Sequence, residues 1–158
     1  MTRKQTMADR IREVLLHGRW IANTNYRDQI EHLTWQQATY KIGNLNSIAA
    51  LTFHVNYYLA GLIKVFQGGA LEIRDKYSFD LPPIRSATDW NKLVAEFLAN
   101  AAEFARQVET MEDHTLDQPF VDEKYGTYLR NIEGVIEHAY YHLGQISLLK
   151  KMILEAGE

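Results

Sequence analysis

Apolar residues recur at intervals of three and four in four separate blocks of this chain, and no alternating, strand-like pattern persists between its turn signals. A chain patterned this way buries its apolar stripes by packing helix on helix. The expected fold class is therefore all-α, a four-helix bundle with long crossover connections. The first block carries Met7, Ile11, Val14 and Leu15 and stops at Gly18, with Thr6 and Asp9 spaced as a capping box. The second runs from about Asn46 to Phe66 through Ile48, Leu51, Val55, Leu59 and Leu62. Asn44 or Asn46 is its expected cap and Gly68-Gly69 its terminator. The third opens at Ser86 or Thr88 and carries Trp90, Leu93, Val94, Phe97, Leu98, Ala101, Phe104 and Val108. The fourth, about Thr127 to Glu155, has its stripe at Ile132, Val135, Ile136, Ala139, Leu143, Ile146 and Ile153, with the stem of Lys150.

The connections are long: roughly 25 residues between the first two helices and nearly 20 between each later pair, lengths at which loops work as lids or crossovers or hide short elements. Asn25 to Ala38 has room for a short helix packed by Ile30, Leu33 and Trp35. Ser78 to Ser86 contains Pro82-Pro83 and is expected to be extended. No repeat, low-complexity tract or linker divides residues 1–158, which read as one domain.

Composition narrows the chemistry. There is no cysteine, which excludes thiolate nucleophiles and cysteine-held zinc. The net charge of −3, with no basic run longer than two, disfavours nucleic acid and anionic membranes as partners. The charged segment Met1 to Arg12 has no signal-peptide core, and no apolar stretch is read as a membrane span. A cytoplasmic protein acting on a small molecule is the expectation.

The sharpest local feature is His138-Ala-Tyr-Tyr-His142 in the fourth block. Histidines four apart on a helix lie about 40° apart around the axis and about 6 Å along it, within reach of one metal ion. A third histidine, His54, lies in the second block. On helical projection His138 and His142 sit about 80°, and His54 about 90°, from the centre of their apolar stripes, on the shoulders of the core. Three imidazoles there can meet at the mouth of a cavity and leave a coordination position open. The spacing alone equally fits histidines that are simply packed and hydrogen-bonded. His17 is the spare ligand by position, while His32 and His114 fall in polar connections. Tyr58, Asn131 and Gln145 share the histidines' edges and are candidates to orient a ligand or substrate. The metalloprotease pattern fails because Ala139 stands where its glutamate belongs, and Glu137 points about 100° away from its neighbour His138. No di-iron Glu-x-x-His pair, phosphate loop or dinucleotide fingerprint is present.

Asn46-Ser-Ile-Ala-Ala-Leu-Thr-Phe-His54 together with His138-Ala-Tyr-Tyr-His-Leu-Gly-Gln-Ile146 resembles the DinB/YfiT-like superfamily of metalloenzymes. Gly18-Arg19-Trp20, Ser78-Phe79-Asp80 and Lys124-Tyr125-Gly126 are similar to a DinB-like bacterial subgroup, so the resemblance runs over essentially the whole chain. It implies a helical bundle with a crossover and a divalent metal such as Zn²⁺ or Ni²⁺ on His54, His138 and His142. It also implies homodimers, for which Tyr57 and Tyr141, off the apolar stripes, are candidate contacts. Some relatives are transferases or isomerases that use a low-molecular-weight thiol such as bacillithiol, mycothiol or glutathione. With no cysteine and no Ser–His–acid set in the chain, the nucleophile is expected from outside, as a thiol or a metal-activated water. A dimeric, non-enzymatic binding or stress-response module with a structural metal is the alternative.

Overall fold

The structure, a computed structural model, describes residues 1–157, and among them there is no β-strand. The helices are α1 (Arg3–Arg12), α2 (Tyr26–Ile30), α3 (Trp35–Thr39), α4 (Ile48–Phe66), α5 (Ala87–Thr110) and α6 (Tyr128–Ala156). The all-α expectation holds. The first long connection hides two short helices rather than one, capped by Asn25 and Thr34.

Helix starts follow side-chain oxygens that satisfy free backbone N–H groups. Thr2, not Thr6, caps α1: its hydroxyl accepts from the Gln5 N–H while the Gln5 side chain accepts from the Thr2 N–H. The Thr6 hydroxyl instead donates to the Thr2 carbonyl, so the box expected at Thr6 and Asp9 does not form. Ser47, rather than Asn44 or Asn46, caps α4 by accepting from the Ala50 N–H at 3.1 Å. Ser86 caps α5 and Thr127 caps α6. After α1 the chain widens into a π-helical turn, Glu13–His17, closed by the Gly18 N–H donating to the Glu13 carbonyl at 3.0 Å. A Cβ on Gly18 would lie 2.6 Å from Glu13 Cα, so glycine is required there.

α5 packs along both α1 and α4, while α6 packs on α4 and on the start of the chain. Between them lie Ile11, Leu15, Leu51, Leu59, Phe97, Phe104, Ile132 and Ile146, all buried. The crossover from Gly18 to Ser47 is tied into this core. Tyr26 is fully buried and stacks on Phe97, its hydroxyl donating to the Ala139 carbonyl at 2.7 Å. The Trp90 indole donates to the Leu33 carbonyl at 3.1 Å. α4 is long and apolar enough to cross a membrane, contrary to the sequence expectation, but two-thirds of it is buried against the other helices.

The connection from Gln67 to Ser86 runs back over the outer face of α4. The Tyr57 hydroxyl donates to the Arg74 carbonyl at 3.1 Å and accepts from the Arg74 N–H at 2.8 Å, pinning this segment to the helix. Ser78 and Phe79 form the turn that follows a short 3-10 helix, Asp75–Tyr77, so the expected extended run begins only after them.

Candidate metal centre

α4 presents His54, and α6 presents His138 and His142 on one face. The Nε2 atom of His138 lies 3.0 Å from His54 Nε2 and 3.0 Å from His142 Nε2. One ligand atom from each of the three histidines falls within 4.8 Å of the others, a spacing compatible with one shared ion. The outer nitrogens are held by partners. His54 Nδ1–H donates to the Ser78 carbonyl at 3.2 Å, and His142 Nδ1–H donates to Gln145 Oε1 at 2.6 Å. Each bond fixes its ring in the tautomer that keeps the Nε2 lone pair inward. Two lone pairs therefore face His138 Nε2, whose single proton in the neutral ring can satisfy only one of them. A cation at the point of convergence satisfies all three. The donor set, three imidazoles and no thiolate, suits Zn²⁺, Ni²⁺ and similar ions.

Aromatic rings enclose the cluster. Phe79 stacks on His54 with ring centres 3.9 Å apart, and Tyr58 meets His54 and His138 edge-on. Phe79 and Tyr58 cover His54, and Tyr141 packs edge-on against His142, so both histidines are buried although helical projection puts them on shoulders of the core. Burial, with the nearby His142 and His54, pushes His138 down to about 4. His54 is lowered as well, chiefly by burial and by His142. Both shifts favour the neutral ring that ligation requires. The Tyr58 hydroxyl is pushed up to about 12 by burial and by its 2.6 Å hydrogen bond to Asp75. It stays protonated and donates.

A cavity of about 620 Å³ opens beside the cluster between α4, α6 and the outer connection, with His138 in its wall. Tyr58, Arg74, Asp75, Tyr125, Arg130 and Asn131 supply the other polar and charged groups of that wall, and apolar side chains supply most of the remainder.

Residues 23–146 match the DinB superfamily. The chain belongs to the DinB superfamily. No curated protein and no solved structure matches it.

Against this DinB fold the sequence candidates sort cleanly. His54, His138 and His142 come together, whereas His17, His32 and His114 are exposed and stand apart from the cluster. Gln145 touches His142, and Tyr58 touches two of the histidines. The Asn131 amide nitrogen donates to the carbonyls of Tyr125 and Thr127 and secures the start of α6, and the residue lines the cavity beside His138. Glu137 is exposed and pairs with Arg130 at 3.2 Å, away from the cluster. Tyr57 spends its hydroxyl within the chain, on Arg74, while Tyr141 remains 65% exposed. Ser78 and Phe79 were missed as site residues. The Ser-Phe-Asp motif flagged their segment, but nothing local to it says that it folds back onto His54.

Proposed function

We propose that the protein is a metal-dependent enzyme in which His54, His138 and His142 hold one divalent cation and a low-molecular-weight thiol serves as nucleophile. The observation that carries this reading is the excess of inward lone pairs over protons at the three Nε2 atoms. When bound, a cation there would supply Lewis-acid polarisation and stabilise a thiolate at neutral pH. The chain supplies the rest. Ser78 aims His54 and Gln145 aims His142, while Phe79 covers His54 and Tyr58 packs against His54 and His138. The cavity beside His138 receives the acceptor molecule. The chain's own side chains are poorly placed to attack: cysteine is absent, Glu137 is exposed and about 100° around the helix from His138, Asp75 accepts the Tyr58 hydroxyl, and Tyr58 keeps its proton.

An open cavity at the cluster favours an enzyme over a closed structural metal site. Homodimerisation and action in the cytoplasm belong to the same proposal. Tyr141, Leu148 and Met152 form an exposed stripe along α6 suited to an isologous contact. The test is thiol-dependent consumption of an electrophile by protein loaded with Zn²⁺ or Ni²⁺. Activity should vanish on chelation and in His54→Ala. Turnover that needs the metal but not the thiol would replace this reading with a hydrolase.

A further inference from the structure

The cavity beside His138 contains a glycine that its backbone does not need. Gly134 lies inside α6, one turn before His138 on the same face, and lines the cavity. Glycine in a helix interior is destabilising relative to alanine. Its usual excuses are a positive φ or a close neighbour, and Gly134 has neither: a Cβ built there meets nothing within 4 Å. The space a side chain would fill is cavity, on the approach to His138.

The charges around that space are unequal. Arg74 makes no ion pair among the described residues, and its backbone is clamped by Tyr57. Arg130 has only an exposed pairing with Glu137, of the kind that contributes little and is readily exchanged. The lining holds these two arginines to one carboxylate, Asp75, one oxygen of which accepts the Tyr58 hydroxyl. Apolar wall is supplied by residues such as Leu62, Leu71 and Val135.

We infer that this cavity takes an amphipathic small-molecule anion, its charged end at Arg74 and Arg130 and its apolar body over Gly134, and that Gly134 sets the bulk it accepts. The inference rests on the proposed enzyme only in directing the reacting end of that molecule toward His138.

The test is calorimetric titration of the full-length chain with octanoate and with octylammonium, before and after chelation of metal. Octanoate should bind saturably, one per chain, in both forms, and octylammonium should not. Arg74→Gln combined with Arg130→Gln should weaken octanoate binding roughly tenfold or more, the scale of lost charge-assisted contacts. Gly134→Phe should abolish it. Gly134→Ala should remain folded with an equal or higher melting temperature, which shows that the fold does not need the glycine. Metal affinity should be unchanged in Gly134→Phe, so that loss of octanoate is separable from damage to the histidines. The inference is overturned if octanoate does not bind, if octylammonium binds equally well, if Gly134→Phe binds normally, or if octanoate is held only by metal-loaded protein and ignores the arginine changes. Failure of the chain to take up metal, with octanoate binding intact, would instead remove the enzyme reading and leave this one standing.

Discussion

The Nδ1–H of His142 donates to the Gln145 side-chain oxygen across 2.6 Å, within one turn of the same helix. That bond decides which nitrogen of His142 is available, and it holds the ring at one angle. Gln145→Leu should lower affinity for Zn²⁺ by about 10- to 100-fold, the usual cost of losing such an outer partner. Gln145→Glu, which keeps an acceptor, should recover most of it. Competition with a chromophoric chelator measures both. Equal affinity in Gln145→Leu and the parent chain would mean that the bond does not support ligation.

Acid should destabilise the metal-free protein before its carboxylates titrate. An unfolded histidine ionises near 6.5, whereas His138 is pushed down to about 4 and His54 is lowered by burial. Between those values the unfolded chain binds more protons than the folded one, so stability falls as pH drops through that window and levels off below it. The urea midpoint of chelator-treated protein should be lower at about pH 5 than at about pH 7.5, and His138→Gln should flatten the difference. An unchanged slope in that variant would trace the acid sensitivity to other groups.

Gly61 carries the outer connection close to α4. A Cβ there would collide with the Ile73 side chain, one residue before the clamped Arg74. In a helix with free space, glycine to alanine stabilises by about 1 kcal/mol. Here Gly61→Ala should instead cost about 1–3 kcal/mol, the range for overpacking. It should also weaken metal binding, because the connection that brings Ser78 and Phe79 onto His54 must move. Urea denaturation supplies the sign, and a rise in stability would rule out the close approach.

Tyr141, Leu148 and Met152 offer a self-contained test of the proposed homodimer. Sedimentation at micromolar concentration should give about twice the 18.3 kDa chain mass. Leu148→Glu should return the protein to monomer without loss of helix content. A parent chain that sediments as a monomer would remove the dimer from the proposal.

Periodicity made the long helices legible, since each buries a stripe that the 3.6-residue repeat exposes in the sequence. The histidine pair was legible for the same reason: His138 and His142 are related by one helix, and geometry within a helix is local. The partners were not. Ser78 reaches His54 across 24 residues because Tyr57 and Gly61 bring the connection down onto α4, a tertiary fact with no local signature. Caps were misplaced by a residue or more where several oxygens compete, as Asn44, Asn46 and Ser47 do before α4. Asn131 shares an edge with the histidines in projection, yet its amide is drawn to the carbonyls of Tyr125 and Thr127. Angular position places a side chain but does not choose its partner.

The Tyr26 hydroxyl bonds to the carbonyl of Ala139, the residue that follows His138 and lies between the two helical histidines. The crossover is thereby bolted to the back of the turn whose front carries the paired imidazoles. Rocking that turn would break a hydrogen bond sealed from water, so the histidine spacing and the seating of the crossover form one mechanical unit. Residues far from the cavity, in the stretch around α2, thus act as a brace for the histidine face. A ligand that tightens the three rings should slow the escape of amide protons on the opposite side of the molecule.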